Sequence, residues 1–167
     1  MSFLGVHFAI EEPEVQKLKS LRNDRERLTY VQDELEEHYL GSDREHAAET
    51  DKAWDAIHRA LTDGNLTHHD SKYPYGHVIL GGESLYSEDD YIMSLKTPAQ
   101  VHEVLGVLQS ITQEQFRLLY FSIPQENYGR PLTEEDFEYS WSYLKNLLPF
   151  WKLASAEGRY VLFTADQ

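Results

Sequence analysis

The 167-residue sequence contains no cysteine, which excludes disulfides, thiolate nucleophiles and cysteine-ligated zinc. Positive charge is also scarce. Lys and Arg number 15 against 29 Asp and Glu, a formal charge of −14 with histidine neutral. Nucleic acid and anionic membrane surfaces both require clustered cations, so neither is an expected partner. The one basic cluster, Lys17, Lys19, Arg22, Arg25 and Arg27, is interrupted by Glu14, Asp24 and Glu26, as on a solvated helix face. No run approaches the roughly 20 apolar residues of a membrane span. The start, Met1 to His7, has neither a basic segment nor a small-residue cleavage site, and Ser2 does not fit a myristoylation pattern. A cytoplasmic protein is the expectation.

Complete catalytic motifs are missing too. Gly81-Gly82-Glu83-Ser84 lacks the glycine spacing and lysine of a phosphate loop, and Gly82 to Tyr86 lacks the last glycine of a nucleophile elbow. A tight turn accounts for both. His102-Glu103 is followed by Gly106 where a zinc-protease helix needs its second histidine. His68-His69-Asp70 offers three ligand types, but adjacent side chains seldom converge on one ion. No metal site and no cofactor are expected.

What is present suits a globular domain, with 41% hydrophobic, 13% aromatic and 26% charged residues. Residues 3–10 alternate as a strand, with Leu4, Val6, Phe8 and Ile10 on the apolar face and His7 on the other. Pro13 opens a helix carrying Val15, Leu18 and Leu21. A second, with Leu28, Val31 and Leu35, is expected to stop at Gly41 in a left-handed cap, with a capping box at Ser42 and Glu45 for the next segment. Residues 50–62 read as a helix that buries Ala53, Ala56, Ile57, Ala60 and Leu61 beside Trp54. Val78-Ile79-Leu80 and residues 91–95 read as strands. Thr97-Pro98, Thr112 and Thr133 each signal a helix start. Pro149 predicts a kink or break in the last long helix, Gly158 ends it, and residues 160–164 form a terminal strand. The expectation is one α+β domain over residues 1–167, with a small mixed sheet that includes both chain termini and about five to six helices.

Several blocks resemble the YfbM-like family of bacterial proteins: Gly5-Val6-His7-Phe8-Ala9, Asp51-Lys52-Ala53-Trp54-Asp55-Ala56-Ile57-His58, Ile79-Leu80-Gly81-Gly82, Leu95 to Val101, and the ending Ala154 to Leu162. They succeed one another in that family's order across nearly the whole chain. The resemblance implies an α+β domain and a bacterial cytoplasmic setting. It supplies no reaction, because the family's function is unknown. Two departures stand out: Pro149 falls in a helix usually uninterrupted in relatives, and residues 23–49 match poorly, so partner recognition is expected to differ there.

The residues support two readings of function. The first is a non-enzymatic protein-binding domain, interaction or immunity-like, for a basic protein partner. It rests on the negative charge and on amphipathic aromatics such as Tyr128, Tyr139 and Tyr143. The second is a small enzyme or ligand-binding domain with a cleft lined by His7, Asp55, His58 and Glu83. Asp51, Asp55 and His58 would project from one side of a helix, where a carboxylate orients an imidazole. Against it stands the reading of Asp51 as a helix cap, His58 as a structural donor and His7 as a hydrogen-bonded core histidine.

Overall fold

In the computed structural model, which describes residues 4–66 and 72–167, the two chain ends pair at the centre of one sheet. Strand β1 (Gly5–Ile10) runs antiparallel to β5 (Tyr160–Asp166) from Gly5 opposite Ala165 to Ile10 opposite Tyr160. On its other side, β5 pairs with β4 (Tyr91–Lys96). The edges are β2 (Ala47–Asp51) beside β1 and the two-residue β3 (Glu83–Ser84) beside β4, giving the order β2-β1-β5-β4-β3. Every pairing is antiparallel, where a mixed sheet was expected. The reason is that each connection returns the chain beside a strand of opposite direction.

Helices cover both faces of the sheet, so both alternating sets of strand residues are buried. One face carries Phe8, Ile10, Met93, Leu95 and Leu162 against α1 (Glu12–Ser20) and a continuous rod over residues 24–42. That rod joins α2 (Asp24–Tyr30), a π-helical stretch (Val31–Leu35) and α3 (Glu36–Ser42). It passes through Gly41, so the expected left-handed stop is not there; Asp43 caps it instead. A 3-10 turn (Arg44–His46) takes the place of the expected Ser42–Glu45 capping box.

The other face carries Ala9, Ile92, Val161, Phe163 and Ala165. It packs against α4 (Ala53–Leu61), α5 (Pro98–Leu108) and α8 (Glu134–Ala156), with α6 (Gln113–Phe121) and the short α7 (Gln125–Tyr128) outside them. With the rod counted as one, the described residues form seven helices. Among them no helix is long and apolar enough to cross a membrane.

The three threonine starts hold. Thr97 and Gln100 form a reciprocal capping box for α5, Thr112 and Gln115 do so for α6, and Thr133 caps α8 by accepting from the Asp136 amide. Thr97→Ala therefore strips one helix terminus of its acceptor and should lower unfolding free energy by about 1 kcal/mol, read by urea denaturation. An unchanged urea midpoint would show that the cap contributes nothing. The last helix does not break at Pro149 but runs through it to Ala156, 23 residues in all. Phe150, Trp151 and Ala154 on its far side are buried against the sheet layer, and this packing holds the turn despite one lost hydrogen bond. Gly158, at φ 65°, then reverses the chain into β5.

Two expected elements change identity. Residues 50–51, expected in a helix, belong instead to the edge strand β2, because β1 offers them a free backbone edge; α4 starts only at Ala53. Val78-Ile79-Leu80 is buried yet not a strand. It begins on the last residue of a 3-10 turn (Tyr75–Val78), and its carbonyls are satisfied by side chains rather than by a ladder. His7 Nε2 donates to the Val78 oxygen at 2.8 Å, Lys96 Nζ to Ile79 at 2.5 Å, and Ser94 Oγ reaches the Leu80 and Gly81 oxygens at 2.8 and 2.9 Å. Three polar side chains of the sheet thus clamp one buried loop.

Candidate functional site

The expected constellation is dispersed. His7 is fully buried, wedged against Phe150, Trp151 and Phe163, and serves the loop clamp. Burial, and next the neighbouring Lys96, hold its imidazole down to about 3, so it stays neutral with Nε2 as donor. His58 is also fully buried, on the inner face of α4. Asp55 turns the other way, to Arg59 at 2.7 Å, the neighbour one helical turn on. Glu83 is exposed on the sheet edge and pairs with Lys19 at 3.1 Å. Asp55 lines a cavity of about 320 Å³ with Trp54, Tyr128 and Arg130, which none of the other three reaches. Acid and imidazole are therefore not side by side on α4: a residue three positions on falls far enough around the helix to enter the core. His68-His69-Asp70 lies outside the described residues.

A larger cavity, of about 470 Å³, opens at the end of the sheet where β1 begins and β5 finishes. The sheet, the rod and α8 all contribute to it. From β2, Glu49 and Asp51 are two residues apart and so share a face. Asp51 ends that strand at φ 49°, a left-handed conformation that aspartate tolerates better than most residues. From the rod, Gln32, Glu36 and Leu40 recur at four-residue spacing along one wall, across the π-helical stretch. A π turn adds a residue to the helix and re-aims the turns beyond it, which is why such turns gather at functional sites. From the sheet come Val6, Tyr91, Thr164 and Asp166, and from α8 comes Tyr143.

The lining is acidic and phenolic. Burial lifts the Glu36 carboxyl above the usual range; a hydrogen bond with Tyr91 opposes the rise and the charge of Asp166 adds to it. Tyr143 is pushed up by burial and then by Asp51 and Glu49. Tyr139, just outside, reaches about 12 for the same first cause, with Asp51 contributing. The phenols stay protonated and serve as donors and aromatic walls. Among the described residues no lysine, arginine or histidine lines the cavity; Arg44, which is not in the lining, pairs with Glu49 at 3.1 Å. Carboxylates beside tyrosine faces suit an ammonium or guanidinium group.

Sequence reading placed Tyr143 at a recognition surface but missed this cavity, because it gave residues 50–51 to a helix. The alternation of Glu49 and Asp51 was the available signal. Tyr128 is not at the surface; it is buried and donates to Asp136 at 2.5 Å.

A family model described as a domain of unknown function, DUF1877, matches residues 1–164. Among solved structures, the chain is similar to the crystal structure of a protein of unknown function, YfbM from Escherichia coli. The TM-score is 0.65 at 19% identity, over 97% of this chain and 99% of that one. Similarity at that identity is similarity of fold. No curated protein matches.

Proposed function

We propose, for a chain that belongs to the DUF1877 family, a role as a binding module in the bacterial cytoplasm that takes a lysine or arginine side chain of a basic protein partner. The observation that carries this reading is the cavity at the end of the sheet, where Glu36, Glu49 and Asp51 meet Tyr91 and Tyr143 and no lysine or arginine is among the described lining residues. A cation entering it would exchange hydration for the lining carboxylates, with Glu49 shared with Arg44, and the phenol faces add cation–π attraction. The net charge of −14 would steer a basic partner toward the molecule as a whole. Glu36 and Glu49 also fall in residues 23–49, the stretch expected to depart from relatives, which suits a role in choosing the partner.

The test uses a defined probe, an arginine-containing basic peptide, titrated onto the full chain at low and high salt. Binding is expected to weaken as salt rises, and the double variant Glu36→Gln/Asp51→Asn should lose roughly tenfold in affinity or more. Asparagine keeps the left-handed tolerance that position 51 needs, so this variant should fold. Equal binding by the variant and the wild type would overturn the reading, as would the absence of any salt-sensitive binding.

A further inference from the structure

Apart from the cavity, the corner between the rod and β2 gathers four ligand-type side chains that the proposed function does not use. His38 lies in α3, Asp43 caps that helix, and Glu45 and His46 sit on the adjoining 3-10 turn. Asp43, Glu45 and His46 each place one ligand atom within 4.8 Å of the others. His46 Nδ1 is 2.8 Å from one Asp43 oxygen and 3.9 Å from Glu45 Oε1, and His38 Nε2 is 3.8 Å from the second Asp43 oxygen.

We propose that His38, Asp43, Glu45 and His46 form a binding site for a zinc-like divalent transition metal ion. Two imidazoles and two carboxylates are a donor set that zinc accepts in tetrahedral geometry. With bonds of about 2.0–2.1 Å, the ligand atoms of such a site stand roughly 3.3 Å apart. The separations of 2.8, 3.8 and 3.9 Å observed here lie on either side of that value. Asp43, Glu45 and His46 already lie close together, whereas His38 touches only Asp43 and must rotate to join them; His38 and Glu45 are both exposed.

The second imidazole nitrogen adds independent support. His46 is 95% buried, and its Nε2 lies 2.7 Å from Glu157 Oε1, at the C-terminal cap of α8. Glu157 is held in turn by Arg159 at 2.8 Å. A carboxylate behind the histidine fixes the ring so that Nδ1 faces the ion, the arrangement in which metal-binding histidines are commonly oriented. Only the far side is open: Asp43 is three-quarters buried, while His38 and Glu45 form the solvent-facing half. An ion there would tie the rod, β2 and the end of α8 together, so its binding should also register as thermal stabilisation.

The experiment titrates zinc ion alone onto the full chain near neutral pH, by calorimetry and by melting temperature. One ion per chain is expected to bind with a dissociation constant in the micromolar range or below, with a rise in melting temperature. His38→Ala and Asp43→Asn should each weaken binding by roughly tenfold or more. His38 is exposed, so its replacement should leave the fold intact and keep the test informative even if a His46 variant fails to fold. The double variant His68→Ala/His69→Ala should bind as the wild type does. The proposal is overturned if no stoichiometric binding occurs. It is equally overturned if binding survives His38→Ala and Asp43→Asn, or is lost only with His68 and His69.

Discussion

Gly82→Ala is expected to destabilise the fold by about 3 kcal/mol or more, the sum of strain at a backbone conformation suited to glycine and a steric conflict that forces a shift. Gly82 stands at φ 124°, and a β-carbon there would press against the Leu95 carbonyl and come within 3.2 Å of Ser94 Oγ. Neither neighbour can yield. Leu95 is a residue of β4, and Ser94 is the donor that holds the Leu80 and Gly81 oxygens. The substitution therefore pushes the buried loop off the sheet and unfastens its carbonyls together. Gly106→Ala is the comparison: that glycine is exposed on α5 with nothing within 4 Å of an added β-carbon. It should raise stability by about 0.5–1 kcal/mol through helix propensity. Urea denaturation of both variants reads the difference directly, and equal midpoints would show that the Gly82 turn is not fixed by its contacts.

The second large effect is on the pH dependence of stability. His7 and Lys96 are both fully buried in the loop clamp, without a carboxylate among their hydrogen-bond partners. Burial holds His7 at about 3 against an ordinary 6.5, and it holds the Lys96 amine well below its ordinary 10.5. Both are bases with depressed values, so the unfolded chain binds more protons than the native one between the two values of each group. Stability must then fall as pH falls. His7 should make stability fall steadily as pH drops from 6.5 toward about 3. Lys96 extends the slope upward, so that stability keeps rising with pH toward 10.5. Urea denaturation over a pH series should show this rise. His7→Gln should flatten the acid limb and Lys96→Met the alkaline one, whatever each does to stability at neutral pH. A wild-type profile with no alkaline rise, or a Lys96→Met profile of unchanged slope, contradicts burial as the force that lowers both bases.

The same clamp explains an error of sequence reading. Val78, Ile79 and Leu80 carry the composition of a buried strand, and they are buried. Whether their carbonyls meet a ladder or side chains depends on His7, Ser94 and Lys96, which lie far away in sequence. Lys96 drew no attention in the chain because a lysine next to a helix cap reads as solvated. Residues 50–51 failed in the opposite sense: their weak local preference was settled by the open edge of β1. The candidate cleft failed because Asp55 and His58 are only three positions apart, and the boundary between solvent and core on α4 falls between them.

The order of amino acids alone decided where most elements begin and end. Threonine caps, Pro98, Gly158 and the apolar periodicities act through groups within a few residues of one another, so they are readable without knowing the fold. It also decided the family and the α+β class, because the blocks that carry the resemblance are contiguous. The sites were settled by tertiary structure. The acidic cavity joins the rod, two chain-end strands and α8, and the histidine corner leans on Glu157, 111 residues from His46. Charge and burial act through space, and only the closed sheet brings those groups within reach.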